Sequence, residues 1–309
     1  MPALETAPPD AGRRRVARFS LITLGYTLLV ILFGAVVRIT GSGAGCGQHW
    51  PTCHGEVAHL PSSVETMIEL THRVTSGLSL LLVVGVAVLC FRVSAPRDPL
   101  RKYALASVGF MLLEAAIGAV LVLLELVGRN DSFARAVVMS LHLVNTCLLT
   151  GSLTLLALAA RDARTELRWS LRLALAFAGV LLISVTGAVT ALGDTIYPVA
   201  SAAQQVPTHF LVEVRALHPL TAVVVSVYLL ALAGRSLNAP LAAARSWARL
   251  LIVAVVAQMA IGVINILLSA PGYLQVIHLA AANALWLVLV VLGTHPLEQA
   301  VPEQQPATA

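Results

Sequence analysis

Charged residues are scarce in this chain of 309 residues. Asp, Glu, Lys and Arg together make up only 11% of the sequence, whereas 58% of the residues are hydrophobic and the mean hydropathy is +0.86. Soluble domains carry roughly 25% charged residues, so this composition excludes an ordinary soluble protein. It indicates a polytopic membrane protein instead.

Eight apolar stretches are long enough to cross a bilayer as helices, because about 20 apolar residues span its hydrocarbon core. They lie near 19–37, 67–91, 103–124, 137–159, 170–192, 215–234, 248–269 and 275–294. We therefore predict an all-α membrane protein with eight transmembrane helices arranged as two four-helix bundles. The predicted parts are an N-terminal tail (1–18), a first bundle (19–160), a linker (161–169), a second bundle (170–294) and a C-terminal tail (295–309).

The basic residues are distributed unevenly about these spans. If the N-terminus is cytoplasmic, fifteen of the twenty Lys and Arg residues fall on the cytoplasmic side. The other five are Arg38, Arg73, Arg129, Arg135 and Arg215. Cytoplasmic loops carry an excess of Lys and Arg, so we expect a multi-pass plasma-membrane protein with both termini in the cytoplasm. The basic balance reflects this topology, and no nucleic-acid partner is expected.

A short polar motif, Glu69-Leu70-Thr71-His72-Arg73, lies at the outer end of the second span. On a helix, Glu69, His72 and Arg73 share one face, since positions three and four apart are neighbours. Ionisable residues are costly in a membrane segment and commonly mark functional sites. The alternative is an interfacial salt bridge between Glu69 and Arg73, with His72 reaching outward.

The outer loop before this motif is rich in glycine and contains Cys46 and Cys53. Both cysteines face the oxidising side of the membrane, so we expect a disulfide bond between them. The bond could staple the loop, or it could be a redox-active pair that passes electrons. The sequence leaves both roles open.

The second half of the chain repeats the first. Gly187-Ala188-Val189-Thr190 corresponds to Gly34-Ala35-Val36-Val37, and Gln258 to Gly262 corresponds to Glu114 to Gly118. Each unit contains four spans, an even number, so the two copies have the same orientation. We predict pseudo-symmetric halves related by an axis along the membrane normal.

Four histidines recur at equivalent places in this repeat, near the outer ends of the second, fourth, sixth and eighth spans. They form two pairs, His72 with His142 and His218 with His278. Facing imidazoles in a bundle core are suited to bind a haem iron from both sides. Zinc or copper is an alternative, although those sites usually need three or four ligands. Four unrelated interfacial histidines are a further alternative.

Other charged residues distinguish the two halves. Glu69 and the cysteine loop occur only in the first half, whereas Glu213 lies five positions before His218 and does not share its helix face. One haem site could therefore be catalytic while the other holds a permanent electron-transfer haem. Glu114 lies near mid-membrane, where we expect it to be protonated or to hydrogen-bond to a neighbouring helix; a role in a proton path is the alternative.

Three motifs together resemble the signature of the haem A synthase family: Gly41 to Cys46, Trp50 to Gly55, and Glu69 to Arg73. The resemblance covers all eight spans and includes the four histidines. It implies an eight-helix enzyme that oxidises the C8 methyl group of haem O to a formyl group, giving haem A. The chain departs from the usual pattern at Gln48-His49 and at Pro219.

The resemblance also implies roles for individual residues. Glu69 would be the catalytic carboxylate, His72 and His142 would flank the substrate haem, and Cys46 and Cys53 would form the disulfide. His218 and His278 would ligate a haem b. From their outer positions alone, Arg38, Arg73 and Arg215 are candidate partners for haem propionates.

The expected partners are haem O, membrane lipid, the farnesyltransferase that makes haem O, and an unidentified electron acceptor; a homo-oligomer is left open. Two other functions compete with the enzyme. A bis-histidine membrane cytochrome b would need the haems but neither Glu69 nor the cysteines. A haem carrier would bind haem and leave it unmodified.

Overall fold

A computed structural model of the chain describes residues 10–57, 59–198 and 208–297. Its helices are α1 (Ala11–Ile39), α2 (Val64–Val93), α3 (Pro99–Leu123), α4 (Phe133–Arg161), α5 (Leu171–Ile196), α6 (Phe210–Glu213), α7 (Leu217–Ser236), α8 (Ala242–Leu267) and α9 (Gly272–Leu292). Short α6 continues into α7 through a 3₁₀ turn at Val214–Ala216, so the two form one span. Eight helices long and apolar enough to cross a membrane result, which confirms the sequence prediction.

Polar side chains at the helix starts fix most of these boundaries. Asp10, Ser63, Asp98, Ser132 and Ser170 each accept a hydrogen bond from a backbone N–H in the first turn of the following helix. Such caps satisfy donors that have no partner within the helix. Each of these five helices therefore begins at a defined residue.

Helix α1 begins before the first apolar stretch, because Asp10 caps it and the basic residues continue the helix. Arg13 bonds Asp98 at 2.7 Å and donates to the carbonyl oxygen of Ala159 at 2.8 Å. The arginine thus ties α1 to the α2–α3 turn and to the end of α4. The tail predicted over 1–18 includes this helical part, and its residues 1–9, like 298–309 of the other tail, lie outside the described residues.

The helices pack in two groups of four. In the first half, α1 contacts α2, α2 contacts α3, α3 contacts α4, and α4 returns to α1. In the second half, α5, α7, α8 and α9 make the corresponding cycle of contacts. The pseudo-symmetry between the halves and the predicted domain boundaries stay predictions.

Helix α4 lies at the junction and is by far the most buried of the eight spans. It contacts α5 and α9 as well as its own half. Trp286 of α9 donates its indole N–H to the carbonyl oxygen of Cys147 at 2.7 Å and packs against the small residue Gly151. Small residues commonly permit this close approach between membrane helices.

Large apolar side chains cover the outward faces of the helices. Leu81, Val224, Val253 and Ile266 are each more than 60% exposed. Water would disfavour so much exposed apolar surface, whereas lipid chains would cover it. These faces agree with a multi-pass membrane protein.

The outer loop packs against the start of α2 through Gly45. A Cβ atom at this position would lie 2.5 Å from the backbone of Glu65, closer than carbon atoms approach in proteins. The carbonyl oxygen of Gly45 also accepts a hydrogen bond from Thr66 at 2.7 Å. The loop can therefore pack this closely against α2 only because residue 45 is glycine, which has no Cβ atom.

We predict that Gly45→Ala lowers thermal stability in detergent by displacing the loop, at a cost of about 1–3 kcal/mol. Gly77→Ala within α2 is the matched control, since a Cβ atom there meets nothing within 4 Å. That control should be neutral or slightly stabilising, because alanine favours helices over glycine. Equal melting temperatures for the Gly45 variant and the unmodified protein would contradict the close packing.

Candidate functional site

The four predicted histidines lie at one level of the bundle. His72, His142, His218 and His278 each fall between the seventh and tenth residue of their span. Helices rise 1.5 Å per residue, so these positions differ in depth by roughly one helical turn at most. The helix boundaries therefore place the four histidines at similar distances from the start of their spans.

The second pair forms a facing couple of imidazoles. The ring centroids of His218 and His278 are 6.2 Å apart, and the ring planes are perpendicular. Metal–nitrogen bonds of about 2.0–2.1 Å would place two imidazoles on opposite sides of one metal ion with their centroids roughly 6 Å apart. The observed spacing therefore suits a metal ion held from both sides.

Glycines on neighbouring helices make room for the imidazoles. A Cβ atom at Gly187 would lie 3.0 Å from the His218 ring, and one at Gly262 would lie 3.2 Å from the His278 ring. In the first half, a Cβ atom at Gly34 would lie 3.1 Å from the His72 ring. Gly34 and Gly187 are equivalent in the sequence repeat, so the repeat extends to the packing around the histidines.

The first pair is half-buried and sparsely hydrogen-bonded. The Nδ1 atoms of His72 and His142 are buried with no hydrogen-bond partner among the described residues. The edge of Phe33 contacts the His72 ring at a centroid distance of 5.8 Å. Buried polar atoms normally find a partner, so these imidazoles have the character expected of ligands awaiting a metal or a bound molecule.

Glu69 is held in place from two directions. The backbone N–H of Cys46 donates to its Oε2 atom at 2.7 Å, and Arg73 bonds its Oε1 atom. The side chain is only 3% exposed. The salt bridge with Arg73 is present, as the alternative interpretation expected, yet it is buried beside His72 and is not a solvated surface pair.

Arg73 also fixes the outer loop. Its Nη1 atom donates to the carbonyl oxygens of His49 and Thr52, at 2.5 and 2.6 Å. Cys46 and Cys53 are buried in this loop and form the expected disulfide bond. The loop, the arginine and the carboxylate are therefore one connected unit above the first histidine pair.

A second histidine cluster lies within the loop. His54, His59 and Cys53 approach one another closely enough to resemble a metal site. The Cys53 sulfur is already committed to the disulfide, so only two imidazoles remain as donors. His54 instead bonds the carbonyl oxygen of Gly45 at 3.0 Å, which helps to seat the loop.

The other two candidate arginines bind protein groups between helices. Arg38 donates to the carbonyl oxygen of Ala191 at 2.6 Å, to Thr195 and to Gln275, and so joins the two halves. Arg215 pairs with Asp194 at 3.0 Å. Their role as propionate partners stays a prediction.

Arg215 has a further significance that the sequence comparison missed. It precedes His218 by three positions, as Glu69 precedes His72. Glu69 was compared above with Glu213. Counting three positions back from each histidine instead gives Arg215 as the equivalent of Glu69. The two histidine pairs therefore have opposite charges at the equivalent position.

Asp131, Tyr197 and His209 form another group that the sequence did not suggest. Tyr197 donates to the Asp131 carboxylate at 2.5 Å, and the Nε2 atom of His209 lies 3.5 Å from the same carboxylate. The Tyr197 hydrogen bond holds the pKa of Asp131 below its usual range and raises that of Tyr197. This group links an outer loop of the first half to the second half.

Comparisons with known proteins identify the family of the chain. Residues 17–290 match the family model COX15-CtaA, described as cytochrome oxidase assembly protein. The chain is 41% identical over 299 residues to a Thermus thermophilus protein named protoheme IX farnesyltransferase, covering 92% of this chain but 49% of that protein.

Shorter matches reach proteins named heme A synthase. The one from an Exiguobacterium species is 42% identical over 107 residues, covering 34% of this chain and 35% of that protein. The one from Bacillus pumilus is 39% identical over 147 residues, covering 47% and 44%. The chain thus spans about half the length, or less, of the curated relatives it matches. Since the family model covers most of the chain, the protein belongs to the COX15-CtaA family of cytochrome oxidase assembly proteins.

Proposed function

We propose that the protein is a haem A synthase, an oxidoreductase that converts the C8 methyl group of haem O to a formyl group for oxidase assembly. The observation that carries this proposal is the asymmetry of the two histidine pairs. Among the described residues, Glu69 is a buried carboxylate held by hydrogen bonds three positions before His72, whereas Arg215 has the equivalent place before His218. The relatives named heme A synthase support the same activity.

We do not assign farnesyl transfer to this chain, although the matching Thermus thermophilus protein is named a farnesyltransferase. Transfer from an allylic diphosphate commonly relies on carboxylates that hold Mg²⁺ against the phosphates. The five aspartates here lie more than 30 positions apart in the sequence. We infer that the name describes the half of that protein which this chain does not match. That protein would then join a unit like this chain to a farnesyltransferase unit. Such a fusion supports a farnesyltransferase as the partner that delivers haem O to this protein.

The histidines would hold two haems with different roles. His72 and His142 would bind the iron of the substrate haem O, and His218 and His278 would bind a resident haem b. The donor set fits, because imidazole is a common protein ligand of haem iron. When bound, haem b supplies one-electron transfer, which side chains cannot provide.

The protein's own groups would position the reacting methyl group and handle its protons. Oxidation of a methyl group to an aldehyde with water as the oxygen source releases four electrons and four protons, through two successive hydroxylations and the loss of one water molecule. Glu69 would accept a proton at the reacting carbon or stabilise positive charge there. The Cys46 N–H and Arg73 hold the carboxylate at one position, and the disulfide loop covers it. An unidentified acceptor takes up the electrons.

The membrane orientation follows from the distribution of charge. Fifteen of twenty Lys and Arg residues fall on one side if the eight spans alternate. We propose a plasma-membrane location with both termini cytoplasmic, so that the histidine pairs lie near the outer face.

The proposed activity is tested by identifying the haems. The protein is expressed with a haem O-producing farnesyltransferase in a host without haem A, and extracted haems are separated and weighed by mass spectrometry. We expect haem A or its hydroxylated intermediate only when the protein is present. Recovery of haem b and unmodified haem O alone, with an electron acceptor supplied, would favour a cytochrome b or a haem carrier.

Glu69→Gln should retain the fold and both haems but lower haem A formation by about 100-fold or more, since a positioned acid–base group contributes at least that much. Glu65→Gln is the matched control, an exposed carboxylate one turn earlier in α2. It should leave haem A formation unchanged. Abundant haem A from the Glu69 variant would refute the catalytic assignment.

A further inference from the structure

Glu114 of α3 reaches the neighbouring helix α4 at the first histidine pair. Its Oε1 atom accepts from the Thr146 hydroxyl at 2.6 Å, and its Oε2 atom accepts from the Asn145 amide at 2.5 Å. The expected hydrogen bonding to a neighbouring helix is confirmed. Thr146 and Asn145 follow His142 by four and three positions, so all three lie on the same side of α4. The carboxylate is thereby fixed beside the histidine.

The nearest charged atom to the His142 Nδ1 atom is Glu114 Oε1, at 3.5 Å. That nitrogen is buried and makes no hydrogen bond with the described residues. A histidine that binds a metal through Nε2 keeps its proton on Nδ1 and generally donates it to a carboxylate or carbonyl oxygen. A small rotation of the ring would complete such a bond to Glu114.

The equivalent residue in the second half is an amide. Gln258 lies within hydrogen-bonding distance of its histidine, with its Nε2 atom 3.2 Å from the His278 Nε2 atom and 3.2 Å from the His278 carbonyl oxygen. The repeat therefore keeps a polar residue of α3 or α8 beside the second histidine of each pair. This residue is a carboxylate, Glu114, in the first half and a neutral amide, Gln258, in the second half.

We propose that Glu114 is a positioning residue for the first haem site. It would accept a hydrogen bond from the Nδ1–H group of His142 and make that imidazole a stronger iron donor than His278. The inference rests on the proposed haem sites. A carboxylate acceptor increases the basicity of a ligating histidine, and hydrogen bonding to an axial ligand tunes haem potential. Glu114 would favour the ferric state of the first haem relative to a site with an amide.

The test is a redox titration of the purified full-length protein with haem bound, followed by optical and electron paramagnetic resonance spectra. The first haem is observed in a His278→Ala background, which removes a ligand of the second. Glu114→Gln should shift its midpoint potential to more positive values and change its ferric spectrum. Glu125→Gln, a carboxylate of an outer loop, is the control and should change neither.

Gln258→Glu provides the reciprocal experiment, in the otherwise unmodified protein. Gln258 contacts the Nε2 atom of His278, which iron would occupy, so in the haem-bound protein the new carboxylate is expected to accept a hydrogen bond from the buried, unpartnered Nδ1 atom. This bond should shift the second haem's potential to more negative values. An unchanged potential and spectrum in haem-loaded Glu114→Gln would overturn the inference. If that variant retains no haem, absence of the negative shift in Gln258→Glu overturns it.

These outcomes separate the inference from the proposed function. If the potentials shift as predicted but the unmodified protein makes no haem A, the proposed synthase activity is refuted and the role of Glu114 is supported. If haem A forms but the potentials do not shift, the synthase activity is supported and the role of Glu114 is refuted.

Discussion

Burial of imidazole nitrogens in apolar helix bundles is the constraint on which the rest of this structure depends. A polar atom without a partner is costly in such surroundings, yet His72, His142 and His278 each retain one. Glycines on adjacent helices leave space for the rings of His72, His218 and His278, and the four histidines lie at similar distances from the start of their spans. Under the proposed function, iron would be held between the imidazoles of each pair, while a buried Nδ1 atom would need an acceptor of its own, as Glu114 would provide for His142.

The two halves use this common frame with different charges. Glu69 precedes the first histidine by three positions, and Arg215 occupies that place in the second half, where Asp194 neutralises it. The disulfide loop and Arg73 add contacts to the carboxylate of the first half alone. Under the proposed function, the repeated helices would support a reactive site and an electron-transfer site, because the helices would set the imidazole positions while neighbouring side chains would determine the chemistry.

Local patterns in the sequence were sufficient for the helices, the paired histidines and the shared face of Glu69, His72 and Arg73. These features depend on residues close in the chain or on a regular repeat. The contacts of Arg13 with Asp98 and of Arg38 with Gln275 were not predictable, since they join residues far apart in sequence. The start of α1 was missed for a simpler reason. Hydrophobicity marks the apolar core of a membrane helix, whereas the Asp10 cap determines where the helix begins.

Haem stoichiometry tests the central claim most directly. The protein would be purified after co-expression with the farnesyltransferase, and the haem content per chain would be measured for the unmodified protein, His142→Ala and His278→Ala. The account predicts two haems in the unmodified protein and one in each variant, with the surviving haem belonging to the other half. A single haem in the unmodified protein, or loss of the same haem in both variants, would contradict two independent histidine-paired sites.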